Sequence, residues 1–136
     1  MASQMYGLAK ESLLSQSPSI DFDTDTIKIA LVTGAYTRNT ATNGHQYFSS
    51  VGTNAIATAT LTSKTVVGGV FDAADVTFSS VSGTHTTVTQ LVIYKDTGTA
   101  TNSPLIAILD GISIAPNGGD IVVSFDNGAN KIFARV

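Results

Sequence analysis

Two apolar runs lie in the stretch TTVTQLVIYKDTGTATNSPLIAILD, residues 86–110 of the 136 in this chain. Leu91–Tyr94 and Leu105–Leu109 each have the length and side chains of a β-strand, and the turn residues Asp96-Thr97-Gly98 lie between them. Both runs are apolar at successive positions, so both faces of these strands must be covered. The stretch therefore predicts the centre of an all-β fold.

Shorter runs of the same kind flank this stretch. From Thr26 onward the sequence has a period of two, which places Ile27, Ile29 and Leu31 on one side of a strand and Lys28, Ala30 and Val32 on the other. Residues 34–52 are predicted to form a long polar excursion with one turn of helix. Residues 55–62 and 64–67 are predicted to form two short strands or one bent strand. The other predicted strands are Asp75–Ser79, Thr86–Lys95, Pro104–Ile114, Asp120–Phe125 and Lys131–Val136.

No helical stretch of strand-connecting length separates these runs, which disfavours a parallel α/β sheet. Turn residues lie between them, as at Ser82-Gly83, Pro116–Gly119 and Asp126–Gly128. Short strands with such separators are typical of antiparallel β-sandwich or jelly-roll-like folds. We expect that architecture for residues 21–136.

The N-terminal segment has a different period. Ser3–Ser15 carries residues at helical spacing and Pro18 follows, which predicts a short helix within an arm of residues 1–20. Lys10 and Glu11 interrupt its apolar character, so the segment does not read as a signal peptide. No run approaches the length of a membrane span, and no membrane partner is expected.

Composition limits the classes of partner. The chain is 43% hydrophobic but only 12% charged, with a net charge of −3. Its seven Lys and Arg residues are scattered, so no cluster is available to neutralise nucleic-acid phosphates. The chain has no cysteine, which excludes disulfides and thiolate metal sites. A weakly charged, hydroxyl-rich β surface offers little protection against association, and we expect a homo-oligomer, a dimer or trimer.

The sequence offers few groups for chemistry. Asp21, Asp23 and Asp25 resemble the start of an EF-hand calcium loop, but the positions for its glycine and its bidentate glutamate are Thr26 and Val32. A solvated approach to the first long strand is the favoured interpretation, and a weak cation site remains the alternative.

The histidines, His45 and His85, lie in separate polar segments, and a catalytic zinc site needs three protein ligands. No serine lies in a nucleophile-elbow motif, and no phosphate-binding glycine loop occurs. We expect no catalytic, cofactor-binding or metal-binding residues and no enzymatic activity.

The candidate functional residues are apolar instead. The doubly apolar strands need cover on the face away from the core, from the N-terminal helix or from a neighbouring subunit. Tyr47 and Phe48 form a bulky pair in a polar loop, where exposure is costly unless something covers them. The interface candidates are Met5, Leu8, Tyr47, Phe48, Leu91, Ile93, Ile106 and Ile108.

Four segments together resemble a family of small virion proteins of tailed phages. They are DTDTIKIALV at 23–32, FDAADVTF at 71–78, VIYKDTGT at 92–99 and SPLIAILD at 103–110. The resemblance covers the chain from about Tyr6 to the C-terminus. It implies a decoration, or cement, protein on the outer surface of the phage head, which bridges neighbouring major capsid protein subunits after assembly in the host cytoplasm.

An alternative within the same class is a tail, tail-fibre or receptor-binding component, since some similar small β proteins belong to those structures. A small virion-associated hydrolase is a second alternative, for which the sequence shows no convergent set of acid, base or metal-binding groups. The number of copies per particle distinguishes a head decoration protein from a tail, tail-fibre or receptor-binding component.

Overall fold

The computed structural model describes residues 4–15, 20–39, 44–68, 70–125 and 133–134. These residues are mostly β-strands, which pair in antiparallel sheets, and they include one short α-helix, α1, at Gly7–Ser15. The strands are β1 Gln4–Met5, β2 Ile27–Thr33, β3 Ala55–Thr60, β4 Thr65–Val67, β5 Val70–Asp72, β6 Val76–Phe78, β7 Val88–Lys95, β8 Leu105–Ile114, β9 Ile121–Val123 and β10 Phe133–Ala134. Short 3₁₀ turns occur at Phe48–Ser50, Gly52–Asn54 and Ala100–Asn102.

The largest sheet has five strands in the order β1-β8-β7-β2-β3, and all its neighbours are antiparallel. The predicted strand pair β7 and β8 lies at its centre, which confirms the antiparallel β prediction. Two smaller sheets have the orders β10-β5-β4 and β6-β9. β5 was not predicted, because Val70–Asp72 is too short to show a period.

Strand β2 shows why the central sheet has two buried faces. Ile27, Ile29 and Leu31 belong to one hydrophobic cluster, and Ala30 and Val32 belong to another. The predicted period of two is confirmed, because successive side chains of a strand point to opposite faces. A strand that is buried on both faces needs cover on both sides of the sheet.

Each face of the central sheet has its own cover from this chain. Residues of β5, β6 and β9, including Phe71, Phe78 and Ile121, share the first cluster with the side chains of β2 and β7. On the opposite face, Tyr6 and Ala9 from the N-terminal segment and Val51 from the 3₁₀ turns share the second cluster. The chain thus buries both faces without a partner.

Of the two covers predicted for the outer face of the doubly apolar strands, the N-terminal segment is the one found, so the four interface candidates on these strands are corrected to core residues. Leu91, Ile93, Ile106 and Ile108 are all 5% exposed or less within the single chain. The first three lie in the first cluster, and Ile108 lies in the second. Residues of the smaller sheets cover the first three side chains, and the N-terminal segment covers Ile108, so none of the four lies on a surface that a partner contacts.

The N-terminal segment begins as a strand and not as a helix. Gln4–Met5 pairs with Ile108 and Ala107 of β8, and the Tyr6 amide donates a 3.0 Å hydrogen bond to the Ile106 carbonyl. The helix therefore starts at Gly7 and not at Ser3. The Tyr6 side chain, which was not among the residues at the predicted helical spacing, is fully buried. Ser3 and Pro18 lie outside the described residues, as do most of the predicted last strand and the turn Asp126–Gly128.

The turn between β7 and β8 has the predicted chemistry. The Asp96 carboxylate accepts a 3.0 Å hydrogen bond from the amide of Gly98, whose φ is +88°. This Asx turn suits aspartate followed by a residue with positive φ, which glycine adopts without strain. The Ser103 hydroxyl closes the loop from the other side by accepting the Thr97 amide at 3.1 Å.

Candidate functional site

A cleft of about 460 Å³ lies where the central sheet loses its regular register. Between the pairs Val88↔Ile114 and Gln90↔Asp110, the residues Gly111–Ser113 of β8 lie opposite the single residue Thr89 of β7. Gly111 has φ +83°, a conformation that suits glycine in a bulge. The cleft is lined by this bulge, by residues of β7 and by the segment that follows β2.

Two polar side chains interrupt the apolar rows of the sheet beside its bulges. Register pairs place Val32 of β2, Gln90 of β7 and Asp110 of β8 side by side. The next row inward contains Val92 opposite Ile108, which is apolar. The row thus contains two polar side chains, Gln90 and Asp110, and residues 34–38 fold over it.

Arg38 and Asp110 form the charged part of this cleft. One guanidinium nitrogen of Arg38, Nη1, lies 2.9 Å from Oδ2 of Asp110, and the two side chains are 16% and 2% exposed. A carboxylate this deeply buried is costly unless a cation accompanies it. The ion pair thus attaches the polar excursion after β2 to the end of β8.

The Gln90 side chain binds the same excursion at its backbone carbonyls. Its Nε2 donates hydrogen bonds to the carbonyl of Tyr36 at 2.9 Å and to that of Thr33 at 3.4 Å. Gln90 is 7% exposed, so these bonds satisfy an amide that would otherwise lose its water without compensation. The chain leaves β2 along a path that these two carbonyls define.

Two tyrosines and a histidine complete the network. The hydroxyl groups of Tyr6 and Tyr36 share a 2.8 Å hydrogen bond, and the Tyr36 hydroxyl lies 2.9 Å from Nδ1 of His45. The rings of Tyr36 and His45 are also in contact, with centroids 5.6 Å apart. The network joins the N-terminal segment to both ends of the excursion, and so holds three separate parts of the sequence together.

Burial controls the ionisation of these phenols. Removal from water raises the pKa of Tyr6 well above its ordinary value, and its hydrogen bond to Tyr36 adds to the effect. Burial likewise raises the pKa of Tyr36. Both phenols therefore stay protonated at neutral pH and act as hydrogen-bonding groups.

Buried tyrosines predict a loss of stability at alkaline pH. Burial, with a contribution from the Asp96 charge, raises the pKa of Tyr94 to about 12, whereas an unfolded tyrosine titrates near pH 10. Since the unfolded state releases its proton first, the free energy of unfolding is unaffected below about pH 10 and falls above it. The slope is up to about 1.4 kcal/mol per pH unit for each such tyrosine. Urea unfolding between about pH 8 and pH 11 measures the loss.

Tyr94→Phe is the matched control for this titration, because it keeps the ring that stacks on Phe48 and removes the ionisable hydroxyl. Its free energy of unfolding should fall less steeply with pH than that of the unchanged chain. Equal unfolding free energies across this pH range in the unchanged chain would contradict the assignment.

The carboxylates of Asp21, Asp23 and Asp25 lie in the turn that precedes β2, and their contacts stabilise it. The carboxylate of Asp25 lies 3.0 Å from Nζ of Lys95 and accepts the Asp21 amide at 2.8 Å, while Lys64 donates to the Asp25 backbone carbonyl. Asp21 accepts a hydrogen bond from the Asp23 carboxyl, which lowers the pKa of Asp21 and raises that of Asp23. Within the described residues, no group of three or more His, Cys, Asp or Glu side chains is arranged to hold a metal ion.

The remaining candidates for chemistry have local roles. His85 lies in an exposed turn, where its amide approaches the Ser82 carbonyl at 3.5 Å. The Asp75 carboxylate accepts the Phe125 amide at 2.9 Å and so joins the chain just before β6 to the residues that follow β9.

The other four predicted interface residues are half-buried, and two of them contact the second cluster. Met5 and Phe48 pack against it, and the Phe48 ring stacks on Tyr94 with centroids 3.9 Å apart. Tyr47 forms a β-bridge with Pro104, and Leu8 lies on α1. The aromatic pair is therefore covered in part by this chain.

Different apolar side chains are exposed to solvent. Among the described residues, the large exposed ones are Leu14 on α1, Val66 and Val67 on β4, and Val122 on β9. Val67 is 75% exposed and Val122 is 60% exposed. Exposure of the three valines was not predicted, because strands of three residues are too short for an alternation to identify an outer face. Arg38 was likewise missed, since nothing local links it to Asp110.

Comparison with known proteins leaves the family open. Protein-family models, curated proteins and solved structures were all searched, and none of them matches this chain. In the part of the chain that the structure describes, no helix has the length and apolar character needed to cross a membrane.

Proposed function

We propose that this chain is a non-enzymatic structural protein of a tailed-phage virion, and specifically a decoration protein that binds the outer surface of the head. It would stabilise the shell by bridging major capsid protein subunits. The sequence resemblance supports the class of protein. The observation that carries the proposal is β4, a strand whose three side chains are all exposed and include Val66 and Val67.

Strand β4 has the character of a contact element. It lies at an edge of its three-stranded sheet, with β5 as its partner, so within the described residues its outer backbone groups face no other strand. Val67 is 75% exposed and Val66 is 45% exposed. Exposed valines beside unpaired backbone groups favour burial against another protein.

The ionisable groups of the chain also suit a binding role. Arg38 and Asp110 are paired, as are Lys95 and Asp25, and each pair fastens a loop to the sheet. The buried tyrosines are held in their neutral form. These groups stabilise the fold, and none is poised for proton transfer or nucleophilic attack.

We also propose that the central sheet and the smaller sheets form a β-sandwich of jelly-roll-like type. The shared hydrophobic cluster between β2 and β7 on one side and β5, β6 and β9 on the other supports that layering. Binding only the assembled shell would stabilise that state by mass action, and many copies on a closed lattice would add their effects.

The contact role of β4 is tested with Val67→Asp. Placing a charge in an apolar interface costs well over 1.4 kcal/mol, so binding to particles that lack this protein should weaken at least about tenfold. The matched control is Thr87→Asp, which adds the same charge at another exposed position and should bind normally. Co-sedimentation with purified particles measures the bound copies. Equal binding by the two variants would remove β4 from the interface.

The cement role itself is tested by heating particles with and without this protein. Release of packaged DNA should require a higher temperature when the protein is bound, and equal thresholds would overturn the role. Images of labelled particles distinguish the head surface from the tail, where a tail component would be found.

A further inference from the structure

The central sheet has one guarded edge and one open edge. At the guarded edge, β1 pairs with β8, and the Tyr6 amide bonds to the Ile106 carbonyl. Beyond β1, the β8 strand carries Asp110 and the Gly111 bulge, both of which hinder pairing with another strand. At the open edge, β3 pairs with β2 alone, and no described strand is paired with its other side.

One hydrogen bond shows to which side of β3 the amide and carbonyl groups of each residue point. The Leu61 amide donates to the Ile27 carbonyl at 2.9 Å, so the backbone of Leu61 faces β2. In an antiparallel ladder successive residues point their backbone groups to opposite sides. The amides and carbonyls of Thr58 and Thr60 therefore face the open edge, where they are available to another strand.

The sequence of β3, AIATAT, contains neither a charged residue nor a proline to discourage pairing. The nearest lysine side chains do not oppose pairing at this edge either. Lys28 lies opposite Thr60 on β2, but its Nζ is 3.0 Å from the Asp96 carboxylate. Lys64 donates to the backbone carbonyl of Asp25. Both ammonium groups are thus held by their own chain.

A second copy of the same strand fits this edge. Two-fold antiparallel pairing sets β3 against itself, so every cross-strand neighbour is an alanine, an isoleucine or a threonine. Such pairing brings no like charges together, and threonine pairs on one face of a ladder are favourable. The outward amides and carbonyls of Thr58 and Thr60 find their complements in the same residues of the partner.

We propose that β3 pairs with β3 of a second copy and joins two five-stranded sheets into one continuous sheet across a dimer axis. The outer edge of β3 is thus the surface through which two copies of this chain associate. It does not depend on attachment to a phage particle.

The test uses the purified full chain and the variants Thr60→Pro and Thr60→Lys. Proline removes an outward amide and leaves the β2 hydrogen bonds intact, and lysine places an unmatched charge on the edge. The matched control is Thr77→Lys at the exposed centre of β6. Sedimentation should give twice the 14.0 kDa chain mass for the unchanged chain and for the control. Both Thr60 variants should raise the dimer dissociation constant at least about tenfold.

Hydrogen exchange locates the contact independently of the variants. The amides of Thr58 and Thr60 should exchange slowly in the dimer and quickly when the chain is diluted to monomer. A chain that is monomeric at every concentration, a dimer in which these two amides exchange freely, or a dimer unaffected by both Thr60 variants would each overturn the proposal. A dimer that fails to bind particles would leave the pairing intact and count against the virion role alone.

Discussion

Replacing Arg38 with methionine should lower the free energy of unfolding by about 3 kcal/mol at neutral pH. Removing one member of a buried ion pair leaves the other as a charge in a medium that solvates it poorly, and such changes cost about 3–5 kcal/mol. We expect the lower end of that range, because Arg38 is 16% exposed whereas Asp110 is 2% exposed. Urea unfolding of the purified chain measures the change.

A double-mutant cycle separates the loss of the pair from other effects of the substitution. Methionine keeps much of the length and apolar character of the arginine stem, so little packing is lost. In the double variant Arg38→Met/Asp110→Asn the buried charge is absent, and at least about half of the lost stability should return. A single variant within about 0.5 kcal/mol of the unchanged chain would show that the pair does not hold the excursion.

Replacing Ile108 with alanine should destabilise the monomeric chain by about 2–5 kcal/mol, the usual cost of truncating a fully buried isoleucine. Ile108 is 0% exposed and packs in the cluster that contains Tyr6 and Ala9 of the N-terminal segment. The cavity would lie between that segment and β8. Measurement must be made at a concentration where the chain is monomeric, so that only its own residues cover the site.

Val122→Ala is the control for this experiment. Val122 is also an apolar strand residue but is 60% exposed, and its truncation should change the unfolding free energy by less than about 0.5 kcal/mol. If Ile108→Ala were equally mild in the monomer, the N-terminal segment would not cover β8 in solution. The other predicted cover, a neighbouring subunit, would then be needed there.

The sequence was sufficient for the class of fold and for most of the strands. The alternation in β2 assigned each of its side chains to a face, because a strand has a fixed period of two. The apolar runs of β7 and β8 indicated burial on both sides, and the Asp96-Thr97-Gly98 turn between them indicated antiparallel pairing. These are local properties, which neighbouring residues determine by their own conformational preferences.

What covers the second face was decided by tertiary structure alone. Nothing in the sequence near Ile108 reveals that Gln4–Met5 adds a strand beside it, or that Tyr6 reaches Tyr36 from thirty positions away. The pairing of Arg38 with Asp110 is equally invisible, because it arises where two bulges turn the end of the sheet toward a loop. Such contacts form between segments that are far apart in sequence and close in the folded chain. Local sequence patterns do not reveal them, because the energy of burying a side chain is independent of its separation in sequence from the residues that cover it.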